Sequence, residues 1–437
     1  MGNDVVLPCL GVSKNCRFLV QGDGHPFFWL GDTAWELFHR TTREDARLYL
    51  SARAEQGFTV IQAVALSEFD GLTVPNAYGR TPLRVANGCY DTALPDDSPE
   101  PGGYSYWDHV DYVVKTAQLL GLYIALLPTW GDKYNLAWGK GPEIFDGTSA
   151  EAYGRWLGER YKDQSNIVWV LGGDRRLEKR RHFEVIQGMA EGLQKGDGGR
   201  HLITFHPSGQ QSSSKHVHEE SWLDFNMIQS SHGHAERDNY RNVAEDYGKT
   251  PIKPTLDAEP CYEDHPRGMR ESNGYFDEVD VRKSAYYAVF AGACGHTYGH
   301  HSVWSMTTER NSYHIMHWKD ALHRPGALQM HHLKALMESR PFLDRVPDQS
   351  LIAVNYEGSN YMTATRGQSY AMIYCPNGLA VKVAMGKIDG GEVEASWYDP
   401  RLGSFQSAGL FPNEGQNTFL PPTAGRGNDW VLTLDSR

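Results

Sequence analysis

Residues 166–174 read NIVWVLGGD: five consecutive apolar or aromatic side chains, then two glycines, then the carboxylate of Asp174. A strand-length apolar run without alternation is the pattern of a parallel strand covered on both faces. The glycines strip side chains away just before the acid, as where another group approaches the backbone closely. The expectation is that Gly172 and Gly173 make room for a ligand. Seven further runs resemble this one: FFWLGDTAW (27–35), FTVIQAVAL (58–66), LYIALLPTW (122–130), HLITFHP (201–207), FNMIQSSHGH (225–234), IKPTLDAEP (252–260) and CGHTYGHHSVW (294–304). Segments of helical periodicity separate most of them, among them WDHVDYVVKTAQLLG, SAEAYGRWLGERYK and FEVIQGMAEGLQK.

Eight strands alternating with helices predict a (β/α)8 TIM barrel of the α/β class. A doubly wound open sheet is the competing fold, but no glycine-rich phosphate turn follows the first strand. The runs end at their C-terminal tips in polar or aromatic residues: Asp32, Gln62, Trp130, Asp174, His206, His232, Glu259 and His300. Barrel active sites lie on that face. A hairpin, turning at Asp23-Gly24, precedes the first strand. The segment 67–104 is rich in Gly, Pro and Asp and reads as a loop shaping the cleft. Beyond about residue 345 the helical pattern stops. Short strands separated by Gly, Pro and Asn predict a small all-β sandwich. The expected domains are a catalytic barrel over residues 1–344 and an accessory sandwich over 345–437.

The 437 residues carry a net charge of −12, which argues against a nucleic-acid partner. No run approaches the roughly 18 apolar residues that suggest a membrane span. The first twenty residues lack a basic stretch followed by an apolar one. The chain is therefore expected to be cytoplasmic, or periplasmic or secreted if a leader has been removed. Nothing in the sequence sets an oligomeric state. Six scattered cysteines form no CxxC pair; a Cys9–Cys16 bridge is one alternative, buried free thiols the default. Aromatic residues make up 12% of the chain, which suits either a large core or a cleft that stacks sugar rings.

Asp174 and Glu259 end the fourth and seventh strands, on nearly opposite sides of an eight-stranded ring. As lone carboxylates they would read as a helix cap and as an ion-pair partner of Arg175 or Arg176. As a facing pair they are the equipment for breaking a glycosidic bond: one protonates the leaving oxygen while the other attacks the anomeric carbon. A separation of about 5–5.5 Å gives retention and about 6.5–9.5 Å gives inversion. The neighbouring negative charge raises the pKa of the acid.

Asp32, Trp35, Trp130 and Trp304 are candidates to bind or stack the sugar. His206 and His232 are placed to hydrogen-bond the sugar or to orient Glu259, and Tyr262 to touch the nucleophile. Each of these histidines and aromatics also fits plain core packing. Strand alternation puts Asp257 on the same side as Glu259 but deeper, as support. A metal-dependent hydrolase is the enzymatic rival, with His232, His234, His296, His300 and His301 as candidate ligands. The HxH expected on its first strand is missing from WLGDTAW, so no metal and no cofactor is expected. A non-catalytic sugar-binding barrel is the third alternative, and would not need both carboxylates.

The segments FFWLGDTAWELFHR, QGFTVIQAVAL, WVLGGD, TFHPSG, IQSSHGH and DAEPCYE resemble the apiosidase-like glycoside hydrolases. These are retaining-type barrels of a clan that places its acid/base after strand four and its nucleophile after strand seven. ASWYDPRLGSF and FLPPTAGRGNDWVLTLD are similar to a small domain, named for collagen binding, that commonly follows them. That name is not a guide to function, and a structural role serves equally well. The resemblance spans nearly the whole chain and implies Asp174 as acid/base and Glu259 as nucleophile. Much of the wider clan has a glutamate after Asn; the Gly-Asp here agrees with the apiosidase-like group. It also implies a carbohydrate substrate, a plant or microbial polysaccharide, with an apiosyl linkage of pectic side chains as the specific expectation.

Overall fold

The computed structural model describes residues 7–97, 103–233 and 238–437. Eight parallel strands form the barrel: β1 (Trp29–Thr33), β2 (Val60–Leu66), β3 (Tyr123–Thr129), β4 (Ile167–Gly172), β5 (Ile203–His206), β6 (Asn226–Gln229), β7 (Thr255–Asp257) and β8 (Gly295–Tyr298). The ladder runs 5-4-3-2-1-8-7-6, with a two-residue strand, Gln211–Ser212, antiparallel on β6. The gap between β5 and β6 is bridged by single bonds rather than a ladder. The Asp224 N–H donates to the Ile203 carbonyl at 2.9 Å, and the Thr204 hydroxyl donates to the Phe225 carbonyl at 2.6 Å. Every residue of these eight strands is buried, which is why their sequences do not alternate.

The longer helices are α1 (Arg43–Glu55), α2 (Tyr106–Leu119), α3 (Gly147–Tyr161), α4 (Arg180–Asp197), α5 (Asn239–Tyr247), α6 (Glu278–Phe290) and α7 (Pro325–Glu338). Their starts follow side-chain chemistry: Ser105, Asp146 and Asp277 close reciprocal capping boxes at α2, α3 and α6. Only a short helix, Ser214–Val217, lies between β5 and β6. The segment expected to be plain loop carries a hairpin, Leu83–Ala86 paired with Cys89–Pro95. Its turn is Asn87-Gly88, both at positive φ, a two-residue hairpin signal present in the sequence as VANGCY.

The C-terminal part is all β. A six-stranded antiparallel sheet and a three-stranded one share a core that includes Ile373, Trp397, Leu432, Val383 and Phe419. The other face of the larger sheet packs on the barrel's helices. Tyr374 stacks on Tyr286 at 4.9 Å, and Arg282 forms a fully buried ion pair with Asp429 at 2.6 Å. All six cysteines are free, Cys9 and Cys16 included. No helix among the described residues is long and apolar enough to cross a membrane.

Candidate active site

The chain leaves β4 through three successive residues at positive φ: Gly172 (94°), Gly173 (102°) and Asp174 (56°). A Cβ on Gly172 would lie 2.2 Å from the His206 carbonyl, and one on Gly173 would lie 2.7 Å from the Gly131 nitrogen. Backbone of the neighbouring β5 and of the loop after β3 fills the space. The glycines therefore serve this turn, and not a ligand's approach as expected from the sequence. The turn delivers Asp174 to a cavity of about 530 Å³ at the C-terminal end of the barrel.

Glu259 lines the same cavity from the segment after β7. Its side chain is only 7% exposed, against 24% for that of Asp174. Two imidazoles hold it. His232 Nε2 is 3.2 Å from Oε1, and His206 Nε2 is 2.9 Å from Oε2, the latter an ion-pair approach without hydrogen-bond alignment. Burial alone would raise the Glu259 pKa. The contacts and charge of His206 and His232 outweigh it, so the carboxyl is held well below the ordinary carboxylate range. Asp174 moves the other way. Burial first, then the charge on Glu259, push it up to about 6, against the opposing pull of His206 and Arg175. One cavity thus contains two carboxyls with opposite preferences for the proton.

Trp35, Trp130, His232, Tyr262 and Trp304 line this cavity too. His206 lies beneath it, fully buried, with Trp35 edge-on at 5.3 Å. Trp35 and Trp130 are themselves 5.3 Å apart and almost wholly buried, so they form walls rather than open platforms. The Trp130 indole nitrogen, the Tyr262 hydroxyl and the Gln229 carbonyl oxygen are buried without a hydrogen-bond partner among the described residues. Each such group costs about 1–3 kcal/mol unless something polar meets it. Burial and the charge on Glu259 drive the Tyr262 phenol far above its ordinary pKa, so it stays protonated.

Asp32 is not part of the site. It is fully buried and accepts from Arg53 Nε and from the Tyr49 hydroxyl, both at 2.6 Å. Alternation along β1 turns Asp32 outward to α1, while Thr33 faces Gln62 inside the barrel. Asp257 is likewise corrected. The strand ends at Asp257, so alternation does not carry on to Glu259. Asp257 instead accepts from Ser230 and Asn239, each at 2.8 Å, on the helix side.

The histidines considered as metal ligands disperse. His300 is 3.0 Å from Asp264, His296 shares the outward, helix-facing side of β8 with Tyr298 and has both ring nitrogens unpartnered, and His301 packs among rings. His234 falls outside the described residues. Among the described residues no group of three or more His, Cys, Asp or Glu is arranged to hold a metal.

Several cavity residues escape a sequence reading: Glu68, Trp138, Gln229, His265 and Tyr313. Gln229 ends β6, and the other four sit on loops after the strands, where no periodicity marks them. His265 stacks on His232 at 4.3 Å and meets His301 at 4.3 Å. His301 stacks on His314 at 4.3 Å, which makes a wall of imidazoles behind His232 and Glu259. Burial lowers the pKa of His265, His301 and His314, so these three rings are neutral.

A family model described as "Apiosidase-like, catalytic domain" matches residues 13–344. A second, described as "Putative collagen-binding domain of a collagenase", matches residues 346–435. A solved structure described as "Glycoside hydrolase" is 36% identical, with 98% of this chain and 97% of that chain covered and a TM-score of 0.88. A glycoside hydrolase family 5 structure from Bacteroides vulgatus ATCC 8482 is 34% identical over 99% of this chain and 95% of that one, with a TM-score of 0.90. No curated protein matches the chain.

Proposed function

The chain belongs to the apiosidase-like family of glycoside hydrolases, and on that footing we propose that it hydrolyses by double displacement with retention, Asp174 serving as acid/base and Glu259 as nucleophile. The observation that carries this reading is the opposite proton preference of two carboxyls in one cavity. Glu259, kept ionised by His206 and His232, attacks the anomeric carbon. Asp174, protonated below about pH 6, gives its proton to the leaving oxygen. Forming the glycosyl ester neutralises Glu259. The second of the two causes that raise the Asp174 pKa, the charge on Glu259, then disappears, so Asp174 ionises more readily and can take the proton of the incoming water.

The substrate is a plant or microbial polysaccharide, and an apiosyl linkage in a pectic side chain is the specific candidate, favoured by the family match. The aromatic walls and the unpartnered polar atoms beside them suit a sugar, which offers apolar ring faces and hydroxyls together.

The test is a screen of cell-wall polysaccharides with wild type beside Glu259→Ala. The variant is expected to lose turnover on every substrate. Azide added to the variant with an activated glycoside is expected to give a glycosyl azide of inverted anomeric configuration. Near-normal turnover by Glu259→Ala would overturn the assignment.

A further inference from the structure

The cavity has two halves. The segments after β6 and β7 supply His232, Glu259, Tyr262 and His265; the segments after β2, β3 and β4 supply Glu68, Trp138 and Asp174. One guanidinium ties the second group together. Arg175 is fully buried, and its Nη1 donates to the Asp174 carbonyl at 2.8 Å and lies 3.5 Å from the Asp174 carboxylate. Its Nη2 donates to the Trp138 carbonyl at 2.8 Å and lies 3.6 Å from Glu68 Oε1. The same guanidinium sits 4.1 Å from the centre of the Trp138 ring.

Two features of this half have no use in the reaction described above. Trp138 keeps 46% exposure, unlike the buried Trp35 and Trp130, so an indole surface stays open at the cavity. The Glu68 carboxyl, 19% exposed, meets Arg175 only at ion-pair range, 3.6 Å, and makes no side-chain hydrogen bond among the described residues. Holding a carboxylate and an aromatic face beside each other is the usual way to grip a sugar: the ring stacks and the carboxylate accepts from hydroxyls.

We propose that Glu68 and Trp138 form the subsite for the sugar on the leaving-group side of the bond, Trp138 stacking its ring and Glu68 accepting from its hydroxyls. This rests on Asp174 being the acid, because an acid stands next to the oxygen that leaves. Groups clamped to Asp174 through one buried arginine share its side of the bond. Glu68 and Trp138 are therefore specificity-determining residues for the leaving sugar, while the His232–Tyr262 half receives the sugar that is transferred. Burial pushes the Glu68 carboxyl up to about 7, so above that pH both oxygens accept, while at the lower pH where Asp174 holds its proton one oxygen of Glu68 accepts and the other donates.

Two substrates separate the halves. Apiosyl fluoride has a bare ion as leaving group and places nothing on Trp138; an apiosyl disaccharide cut from pectin fills the subsite. Glu68→Ala and Trp138→Ala are each expected to lose about 10- to 100-fold more kcat/KM on the disaccharide than on the fluoride, the scale of one buried hydrogen bond or one aromatic contact. Trp138→Phe is expected to recover most of the Trp138→Ala loss. Equal losses on both substrates, which a mere prop for Arg175 would give, overturn the subsite, and so does an unchanged disaccharide rate. Asp174→Ala, measured alongside, keeps the premise separate. If it spares neither substrate preferentially, the acid assignment fails, whatever the pattern at Glu68 and Trp138.

Discussion

His206, from the end of β5, brings its Nε2 to 2.9 Å from Glu259 Oε2, although Glu259 follows β7. With His232 on the other oxygen, it keeps a buried carboxyl ionised. The sign of the consequence is fixed. Without His206, burial is less opposed and the Glu259 pKa rises. Attack requires the anion, so activity is lost as pH falls, and the loss begins at a higher pH than in wild type. His206→Asn is expected to shift the acidic limb of the kcat/KM profile to higher pH, with a loss of about 10-fold or more at the acidic end, the scale of a partly buried ion pair. A pH–rate profile of the variant superimposable on wild type would remove His206 from this role.

As the proposed acid, Asp174 is expected to set the other limb. Its pKa is raised to about 6, so the proton needed for the leaving group is present below that pH and lost as pH rises through it. Glycosylation of a polysaccharide is therefore expected to fall on the basic side near pH 6. Asp174→Ala should lose about 10²- to 10⁴-fold on the polysaccharide and far less in glycosylation from an activated aryl glycoside. That variant lacks the base for the second step, so it should accumulate glycosyl-enzyme, and azide should restore turnover. Burst kinetics with a nitrophenyl glycoside, with and without azide, reads all three. A polysaccharide rate near normal contradicts the assignment.

The turn that carries Asp174 should tolerate no side chain. At Gly172 an added Cβ meets a main-chain oxygen at 2.2 Å, and the φ of 94° disfavours any L-residue. Gly172→Ala is expected to destabilise the chain by at least about 1–3 kcal/mol and to displace Asp174. Denaturant unfolding gives the first quantity and the polysaccharide rate the second. Gly24→Ala is the control, since its φ is also positive but nothing lies within 4 Å of its Cβ position. Equal effects at the two positions would mean that backbone conformation alone, and not the close packing of β4 against β5, dictates the glycine.

Much of this was legible before any coordinates. The eight apolar runs are the eight strands, because strands buried on both faces leave an unmistakable non-alternating pattern. Asp174 and Glu259 could be singled out because each directly follows such a run. Side chains whose orientation hangs on one residue of register were less secure. Asp32 looks like a mouth residue by position, yet faces α1, because Thr33 takes the inward place. Glu68 and Trp138 reach the cavity from irregular loops, whose course depends on long-range contacts such as Arg175 with the Trp138 carbonyl. The Asn87-Gly88 hairpin was readable and was hidden only by the Gly- and Pro-rich composition around it.

The junction between the barrel and the C-terminal sheets makes a prediction about stability rather than chemistry. Arg282 on α6 and Asp429, just before the final strand, are each 1% exposed and 2.6 Å apart, with two parallel N–H···O contacts. The Tyr374 hydroxyl donates to the same carboxylate at 3.1 Å, and Gln329 on α7 accepts from Arg282 at 2.6 Å. Removing one partner strands the other charge out of water. Asp429→Ala is therefore expected to cost about 3–5 kcal/mol, far more than an exposed pair would. Replacing both partners with apolar residues of similar size leaves no buried charge, so Arg282→Met with Asp429→Leu should recover most of that loss despite removing every contact just named. Chemical denaturation of Arg282→Met, Asp429→Leu and the double variant, followed as a double-mutant cycle, gives the coupling directly, with Asp429→Ala measured beside them. A loss below about 1 kcal/mol for Asp429→Ala would mean that the pair is hydrated in solution and that the sheets are held to the barrel chiefly by the Tyr286–Tyr374 stack and its apolar surroundings.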